Sequence, residues 1–229
     1  MRTDAPHTHA PVSAWRSRAA WVWMILACIL SIVIDLGSKQ LAFARVANQP
    51  VIVQRADVVR VSNDPTLGPR MISQPEAGII PRHAPVSIVH SVLDFQLVLN
   101  PGAVFGIGPG QRGFFIGFTV LALVFGLAMF AKWTSPRDHF AHAAIGLLIG
   151  GGLGNLYDRL VFGCVRDFIH PLPGLLWPAG MRVLGNPEVW PYVSNLADLF
   201  LLFGILMLLI HLWKRDREAE RAGKATISR

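Results

Sequence analysis

Four long apolar runs dominate this sequence and restrict the chain to folds that cross a membrane. Each run has about the twenty residues that a helix needs to span a bilayer of about 30 Å. They occupy approximately residues 19–41, 113–131, 139–157 and 193–213. Only 15% of the 229 residues are charged, whereas soluble domains carry about a quarter. We therefore predict an all-α polytopic membrane protein with four transmembrane helices in residues 19–213.

Basic residues flank these runs and predict their orientation. One basic group precedes the first run, a second separates the second run from the third, and a third follows the fourth run. These groups are Arg16 and Arg18, Lys132 and Arg137, and Lys214, Arg215 and Arg217. Because basic residues in short loops stay cytoplasmic, we predict cytoplasmic tails at residues 1–18 and 214–229. The net charge of +7 is then explained without a nucleic-acid partner.

The segment between the first two runs has a different pattern. Residues 51–53, 58–61 and 87–99 are rich in β-branched residues and partly alternate with polar ones, which is typical of strands. Residues 63–85 are rich in proline and glycine, which is typical of loops. We therefore predict a small extracytoplasmic β-sheet within residues 45–112.

Polar residues interrupt the apolar runs at a few places, and the predicted topology brings these places to one side of the membrane. The first and third helices run outward and end in polar clusters, whereas the fourth runs inward and begins with one. The clusters are Asp35 with Lys39, Asn100 with Gly102, Asn155 with Asp158 and Arg159, then Asp167, and Asn195 with Asp198. Ionisable groups inside a membrane indicate function by default. The sequence thus predicts an active site near the outer leaflet.

Asp167 and Asp198 are the two carboxylates that lack an adjacent cation to neutralise them, because Arg166 and Asp167 are successive residues and should point apart. Two carboxylates at a dehydrated membrane edge do not ionise together easily, so the pair keeps one proton near neutral pH. The ionised group can then activate water while the neutral group protonates a scissile carbonyl. This pattern favours aspartic-protease chemistry.

The other charged residues have structural interpretations as well. Asp35 and Lys39 are four residues apart with the acid first, the favoured order for a helical ion pair, and a buried pair that positions the first helix is the preferred interpretation. Asp158 and Arg159 could likewise form only a local ion pair, or they could anchor the end of the helix.

Other classes of protein remain as alternatives. Chains of acidic and basic residues also mark ion pathways, but a transporter needs polar groups through the full membrane depth, and the second run contains no Asp, Glu, Lys or Arg. A purely structural membrane protein leaves the polar clusters unexplained. The first run also has the alternative of a cleaved signal peptide, although signal peptides have apolar regions of only about 7–15 residues.

At these motifs the chain resembles the bacterial lipoprotein signal peptidases, also called signal peptidase II. Four motifs carry this resemblance. Residues 35–39 match the family's Asp-x-x-x-Lys, and residues 100–106 match its Asn-x-Gly-x-x-Phe-Gly. Residues 154–159 with 163–169 match its two-part third motif, and residues 194–198 match its Asn-x-Ala-Asp. Two features depart from the family pattern. The outer segments 48–85 and 171–191 are longer than usual, and Arg166 replaces an apolar residue.

The resemblance implies an intramembrane aspartyl endopeptidase of the bacterial inner membrane that is sensitive to globomycin. We expect no metal or cofactor. Its substrates would be diacylglyceryl-modified prolipoproteins, cleaved just before the lipidated cysteine, and its other partner would be membrane lipid. Asp167 and Asp198 would be the catalytic dyad. The implied supporting residues are Asn155, Arg159, Asn195, Asp158, Asn100, Gly102, Asp35 and Lys39.

Overall fold

The computed structural model describes residues 13–64, 68–102, 112–183 and 185–227. Its helices are α1 (Arg18–Arg45), α2 (Arg112–Trp133), α3 (His139–Val161) and α4 (Leu196–Ile227). Its strands are β1 (Val59–Asp64), β2 (Gly68–Ser73), β3 (Val86–Val89), β4 (Leu93–Asn100) and β5 (Val165–Pro171). All four helices are long and apolar enough to cross a membrane. The predicted fold class, four transmembrane helices with small β-structure, is confirmed.

Helix α3 is the centre of the bundle, since it packs between α1 and α4 and also contacts α2. Gly146, Gly150 and Gly154 recur at four-residue intervals along its face toward α1. A methyl group on any of these glycines would collide with α1. It would meet the Met24 carbonyl oxygen at Gly146, the Ser31 hydroxyl at Gly150 and the Asp35 carboxylate at Gly154. Small residues allow transmembrane helices to approach closely. This contact brings the polar residues of α1 and α3 together.

The outward faces of the other helices are apolar. Val33 on α1, Leu121 on α2 and Leu202 on α4 are among many large apolar side chains that are more than half exposed. In lipid such faces need no protein partner, because hydrocarbon is as apolar as leucine. The bundle therefore has the surface expected of a protein surrounded by acyl chains.

Helix α4 begins at Leu196, three residues later than the predicted fourth run. The Asn195 backbone N–H donates to the Asp198 carboxylate, and the Asp198 N–H donates to the Asn195 side-chain oxygen, each at 3.2 Å. These reciprocal bonds form a capping box, preceded by a β-bridge between Ser194 and Ile169. At its other end α4 continues to Ile227, so most of the predicted tail 214–229 is helical.

The strands form two antiparallel sheets. One contains β1 and β2, and the other has the strand order β3-β4-β5. In the second sheet Val98 pairs with Asp167 and Asn100 pairs with Val165. This register places the strand that follows α3 beside the strand that precedes α2. Asp167 and Asn100 are thereby brought close together.

The predicted strand boundaries need three corrections. Residues 51–53 are not a strand, because Val51 and Val53 instead pack into an apolar cluster with Phe43 and Val58. Strand β2 lies inside the predicted loop 63–85, where pairing with β1 outweighs local composition. The predicted strand 87–99 is two strands separated by a turn, in which Ser91 has a φ of 58°.

An apolar cluster fixes the three-stranded sheet to the end of the bundle. It joins the last turns of α1 to the sheet through Phe43, Val46, Leu97, Cys164 and Phe168, all buried. Burial of such side chains contributes roughly 1.5–3 kcal/mol each relative to exposure. The sheet is therefore a fixed cover over the polar residues at this end of the helices.

Candidate active site

Polar side chains from α1, α3, α4, β4 and β5 meet at the end of the bundle that carries the three-stranded sheet. Asp35, Lys39, Asp158, Asp167 and Asn195 are each 0–1% exposed. Burying polar groups on this scale is costly unless each finds a partner, and every one of these does. The polar residues that the sequence predicted to converge are brought together here.

Asp167 lies on β5 and is held by two amides. Its Oδ1 accepts a hydrogen bond from Asn195 Nδ2 at 2.6 Å, and its Oδ2 accepts one from Asn100 Nδ2 at 2.9 Å. Asn100 Oδ1 in turn accepts from the Gly102 N–H at 3.0 Å, which fixes the orientation of the Asn100 amide. Both oxygens of the Asp167 carboxylate are thus positioned by neutral donors.

Asp198 lies in the first turn of α4 and is joined to Asp167 through two amides. Its Oδ1 accepts from Asn155 Nδ2 at 2.8 Å. Asn155 Oδ1 accepts from Asn195 Nδ2 at 3.1 Å, and the same Asn195 nitrogen donates to Asp167. The Asn155–Asn195 bridge therefore sets the separation and orientation of the two carboxylates.

Lys39 lies directly behind this bridge. Its ammonium nitrogen is 2.8 Å from Asp35 Oδ2, 3.0 Å from Asn155 Oδ1 and 3.5 Å from Asp158 Oδ2. Because an ammonium group only donates, it holds the oxygen of Asn155 toward itself and leaves the amide nitrogen for Asp198. Asp35 Oδ1 accepts from the Ala197 N–H at 2.9 Å. The Asp35–Lys39 pair consequently positions both Asn155 and the start of α4.

Arg159 connects α3 to the segment after β4. Its Nη2 donates to the Gly102 carbonyl at 3.2 Å and its Nη1 to the Asn155 carbonyl at 3.4 Å. The guanidinium carbon also lies 5.5 Å from the centre of the Phe115 ring on α2. Residues 103–106, the rest of the motif that begins at Asn100, lie outside the described residues.

Asp158 contacts the cations behind the site. It forms ion pairs with Lys39 and with Arg166, whose Nη2 lies 2.9 Å from Asp158 Oδ1. Arg166 and Asp167 point to opposite faces of β5, as strand geometry requires. Sequence reasoning missed Arg166 as a partner of Asp158. Residues 165–169 show no regular apolar–polar alternation, so the sequence carries no clear strand signal at this position.

The surroundings of Asp167 alter its protonation. Burial raises the pKa of Asp167 from its ordinary value of 3.8 to about 7, and the nearby charge of Asp198 adds to the rise. The hydrogen bonds from Asn100 and Asn195 oppose it. A carboxyl group with this pKa exchanges a proton readily near neutral pH, which general acid–base catalysis requires.

Comparisons with known proteins show which family the sequence resembles. A family model described as signal peptidase (SPase) II matches residues 27–214. The lipoprotein signal peptidase of Halothermothrix orenii is 34% identical over 132 residues, covering 58% of this chain and 78% of that protein. The lipoprotein signal peptidase of Desulfitobacterium hafniense (strain DSM 10664 / DCB-2) is 31% identical over 137 residues, covering 59% and 79%.

The fold has solved counterparts as well. A bacterial membrane enzyme, solved by the in meso method at 2.3 Å resolution, superposes with a TM-score of 0.58 at 22% identity. The match covers 90% of this chain and 93% of that one. A second bacterial membrane enzyme, at 1.9 Å resolution, gives a TM-score of 0.55 at 21% identity. Since the family model matches well over half of the sequence, this chain belongs to the signal peptidase II family.

Proposed function

We propose that this protein is a membrane-embedded aspartic endopeptidase that removes signal peptides from lipoprotein precursors, with Asp167 and Asp198 as its catalytic residues. The observation that carries the proposal is the Asn155–Asn195 bridge between the two carboxylates. Amide donors hold a carboxylate in place without fixing its charge as a bonded cation would. Family membership supports the same assignment.

The chemistry follows from one proton shared by the two groups. Near neutral pH the pair holds a single proton, because a second negative charge in the same buried site is unfavourable. The carboxylate takes a proton from the attacking water, and the carboxylic acid donates its proton to the carbonyl oxygen of the scissile bond. The resulting tetrahedral intermediate collapses when the amine leaving group receives a proton from the pair.

The location of the site supports a lipid-modified substrate. Asp198 lies in the first turn of an apolar helix, so the site is at the edge of the hydrocarbon layer. A precursor whose cysteine carries a diacylglyceryl group keeps its acyl chains in the bilayer while its peptide reaches the carboxylates. Binding energy from these distant groups then positions the reacting bond.

Charge distribution supports an outer-leaflet site with both termini cytoplasmic. The basic residues Lys132, Arg137 and Arg215 lie at the opposite end of the bundle from the polar site. There Arg215 Nη1 donates to the Trp133 carbonyl at 2.8 Å, which joins the ends of α2 and α4. Basic residues remain on the cytoplasmic side. The site then faces the outer leaflet of the bacterial inner membrane.

The test is cleavage of a defined precursor. The purified protein is incubated with a diacylglyceryl-modified prolipoprotein, and mass spectrometry identifies the new N-terminus. We expect cleavage immediately before the modified cysteine, and none with Asp167→Asn or Asp198→Asn. Asp216→Asn, an exposed carboxylate on the far part of α4, is the matched control and should cleave normally. Normal cleavage by both dyad variants would contradict the proposal.

A further inference from the structure

A large cavity lies between the last turns of α1, the first turns of α4 and the three-stranded sheet. Its volume is about 970 Å³, near the upper end of the roughly 300–1,000 Å³ typical of small-molecule sites. Its walls are almost entirely apolar and include Leu41, Phe95, Phe168, Leu199 and Leu202. The cavity is separate from the candidate active site, because neither proposed catalytic residue lines it.

The cavity lies along the ends of two helices that are long and apolar enough to span a membrane. Leu41 and Leu202 line it and are 59% and 61% exposed on membrane-spanning helices. Trp190 and Arg45 line it as well, and tryptophan and arginine are typical of the interface. Along α1 the lining runs from Ser38 to Arg45, about 10 Å at 1.5 Å per residue. This shape accepts an acyl chain with its headgroup at the Arg45 end.

Arg45 gives the cavity a charge preference. The residue is in the last turn of α1 and its side chain is exposed. Among the described residues, no carboxylate or other acceptor is paired with its guanidinium, and none of those lining the cavity is acidic. A guanidinium group binds phosphate oxygens through two parallel hydrogen bonds. An occupant with a phosphate headgroup therefore complements both ends of the cavity.

We propose that this cavity binds one anionic phospholipid of the surrounding bilayer, with an acyl chain between α1 and α4 and the phosphate on Arg45. The lipid of the proposed substrate fits less well, because a diacylglyceryl group is uncharged and offers Arg45 no partner. The walls of the two places also differ, because Asn100, Asn155 and Asn195, which hold the two carboxylates, do not line the cavity.

The lipid would bridge the elements that carry the site. Arg45 and Leu41 belong to α1, Phe168 to β5 and Leu202 to α4. A ligand that binds the folded state alone raises its stability by mass action. Bound phospholipid is therefore expected to raise the unfolding temperature of the protein.

The experiment uses the delipidated full-length protein in detergent. Phosphatidylglycerol, phosphatidylcholine and dioleoylglycerol are titrated separately, with native mass spectrometry to count bound lipid and thermal unfolding to follow stability. We expect one tightly bound phosphatidylglycerol, weaker binding of phosphatidylcholine and the weakest binding of dioleoylglycerol. Arg45→Gln should weaken phosphatidylglycerol binding by roughly tenfold or more, since it removes charge-assisted bonds. Arg82→Gln, at an exposed arginine outside the cavity, should have no effect.

A second pair of variants tests the acyl-chain half of the cavity. Leu202→Trp fills the space between α1 and α4 and should reduce binding of both phospholipids. Leu206→Trp lies one turn further along α4, is 51% exposed and does not line the cavity, so it should bind lipid normally. Unchanged phosphatidylglycerol binding in Arg45→Gln or in Leu202→Trp would overturn the proposal. It would also be overturned if dioleoylglycerol bound as tightly as phosphatidylglycerol and Leu202→Trp abolished precursor cleavage, because the cavity would then hold substrate lipid.

Discussion

Arg166 and Asp158 form a buried ion pair immediately behind Asp167. The Arg166 Nη2 lies 2.9 Å from Asp158 Oδ1, and the Arg166 backbone N–H donates to Asp158 Oδ2 at 3.0 Å. The guanidinium also lies 4.2 Å from the centre of the Phe162 ring. Two anchors, one from the side chain and one from the backbone, thus tie β5 to α3 one residue before a proposed catalytic carboxylate.

The first prediction separates Asp158 from Asp167. Asp167→Asn should abolish cleavage and leave the protein folded, although its stability should fall by about 1–3 kcal/mol, because the new NH2 group cannot accept the hydrogen bond that Asn100 or Asn195 donates at that position. Asp158→Asn should retain measurable turnover but lower stability by about 3–5 kcal/mol, since it removes the partner of buried Arg166. Cleavage rates and thermal unfolding in one detergent measure both effects. If Asp167→Asn kept its activity while Asp158→Asn was inactive but stable, the catalytic carboxylate would be Asp158 and not Asp167.

The second prediction concerns Arg166 itself. Arg166→Val places an apolar residue there and leaves Asp158 with Lys39 as its remaining ion-pair partner among the described residues. We expect a stability loss of about 3 kcal/mol, as for other broken buried pairs. The double variant Arg166→Val/Asp158→Asn should lose less than the sum of the two single variants, because they remove the same interaction. Strict additivity in unfolding free energies would show that the pair is not coupled.

The third prediction is a pH dependence with a definite sign. Because burial raises the pKa of Asp167 from 3.8 to about 7, the folded protein holds this proton more tightly than the unfolded chain. The contribution of protonated Asp167 to the free energy of unfolding is therefore complete below about pH 3.8. It declines as the pH rises and is lost above about pH 7. As the pH rises through this range, the unfolding temperature of the native protein should fall relative to that of Asp167→Asn. Parallel stability curves for the two proteins would contradict the raised pKa.

Activity should show the same protonation event. Above about pH 7 the pair loses its shared proton and with it the general acid, so kcat/KM should fall on the alkaline side. The measurement is kcat/KM for one lipid-modified precursor over a range of pH values in a constant detergent. A profile that stays level from pH 5 to pH 9 would exclude a shared proton as the source of catalysis.

The fourth prediction assigns Lys39 to positioning. Lys39→Met should lower kcat much more than it changes KM, because Asn155 loses one of the two donors that orient its amide toward Asp198. The variant also leaves Asp35 buried without its cation, so it should be less stable. The double variant Lys39→Met/Asp35→Asn removes both charges and should regain stability but not turnover. Recovery of full kcat in the double variant would show that Lys39 acts on stability alone.

Much of this architecture was predictable from the sequence because two signals are local. Apolar runs of about twenty residues give the helices directly, and the alternating direction of successive helices places Asp35, Asn155 and Asp198 at one end. The i,i+3 spacing of Asn195 and Asp198 also put both on one face, where the structure has a capping box. These inferences need no knowledge of distant contacts.

The missed features depend on how separate elements pack against one another. Strand β5 pairs with β4, which is more than sixty residues earlier in the chain. The ion pair between Arg166 and Asp158 joins residues only eight apart, but it forms only because β5 folds back against the end of α3. The close contact of α1 with α3 at Gly150 likewise requires the partner helix to be known.

The last prediction concerns discrimination between modified and unmodified precursors. The polar site lies at the end of apolar helices, so a substrate held in the bilayer by acyl chains presents its cleavage point at the right depth. Each buried methylene contributes about 0.8 kcal/mol, but the chains also partition into the membrane before binding, so only part of this energy favours the enzyme complex.

We therefore expect a precursor with its diacylglyceryl group to be cleaved much faster than the same precursor without it. The comparison uses one precursor in both forms, reconstituted at equal surface density in vesicles, with initial rates as the measurement. Asp167→Asn measures the background in both cases. Equal rates for the two forms would reject lipid-anchored recognition and favour a general membrane protease, because the acyl chains would then contribute nothing to positioning the reacting bond.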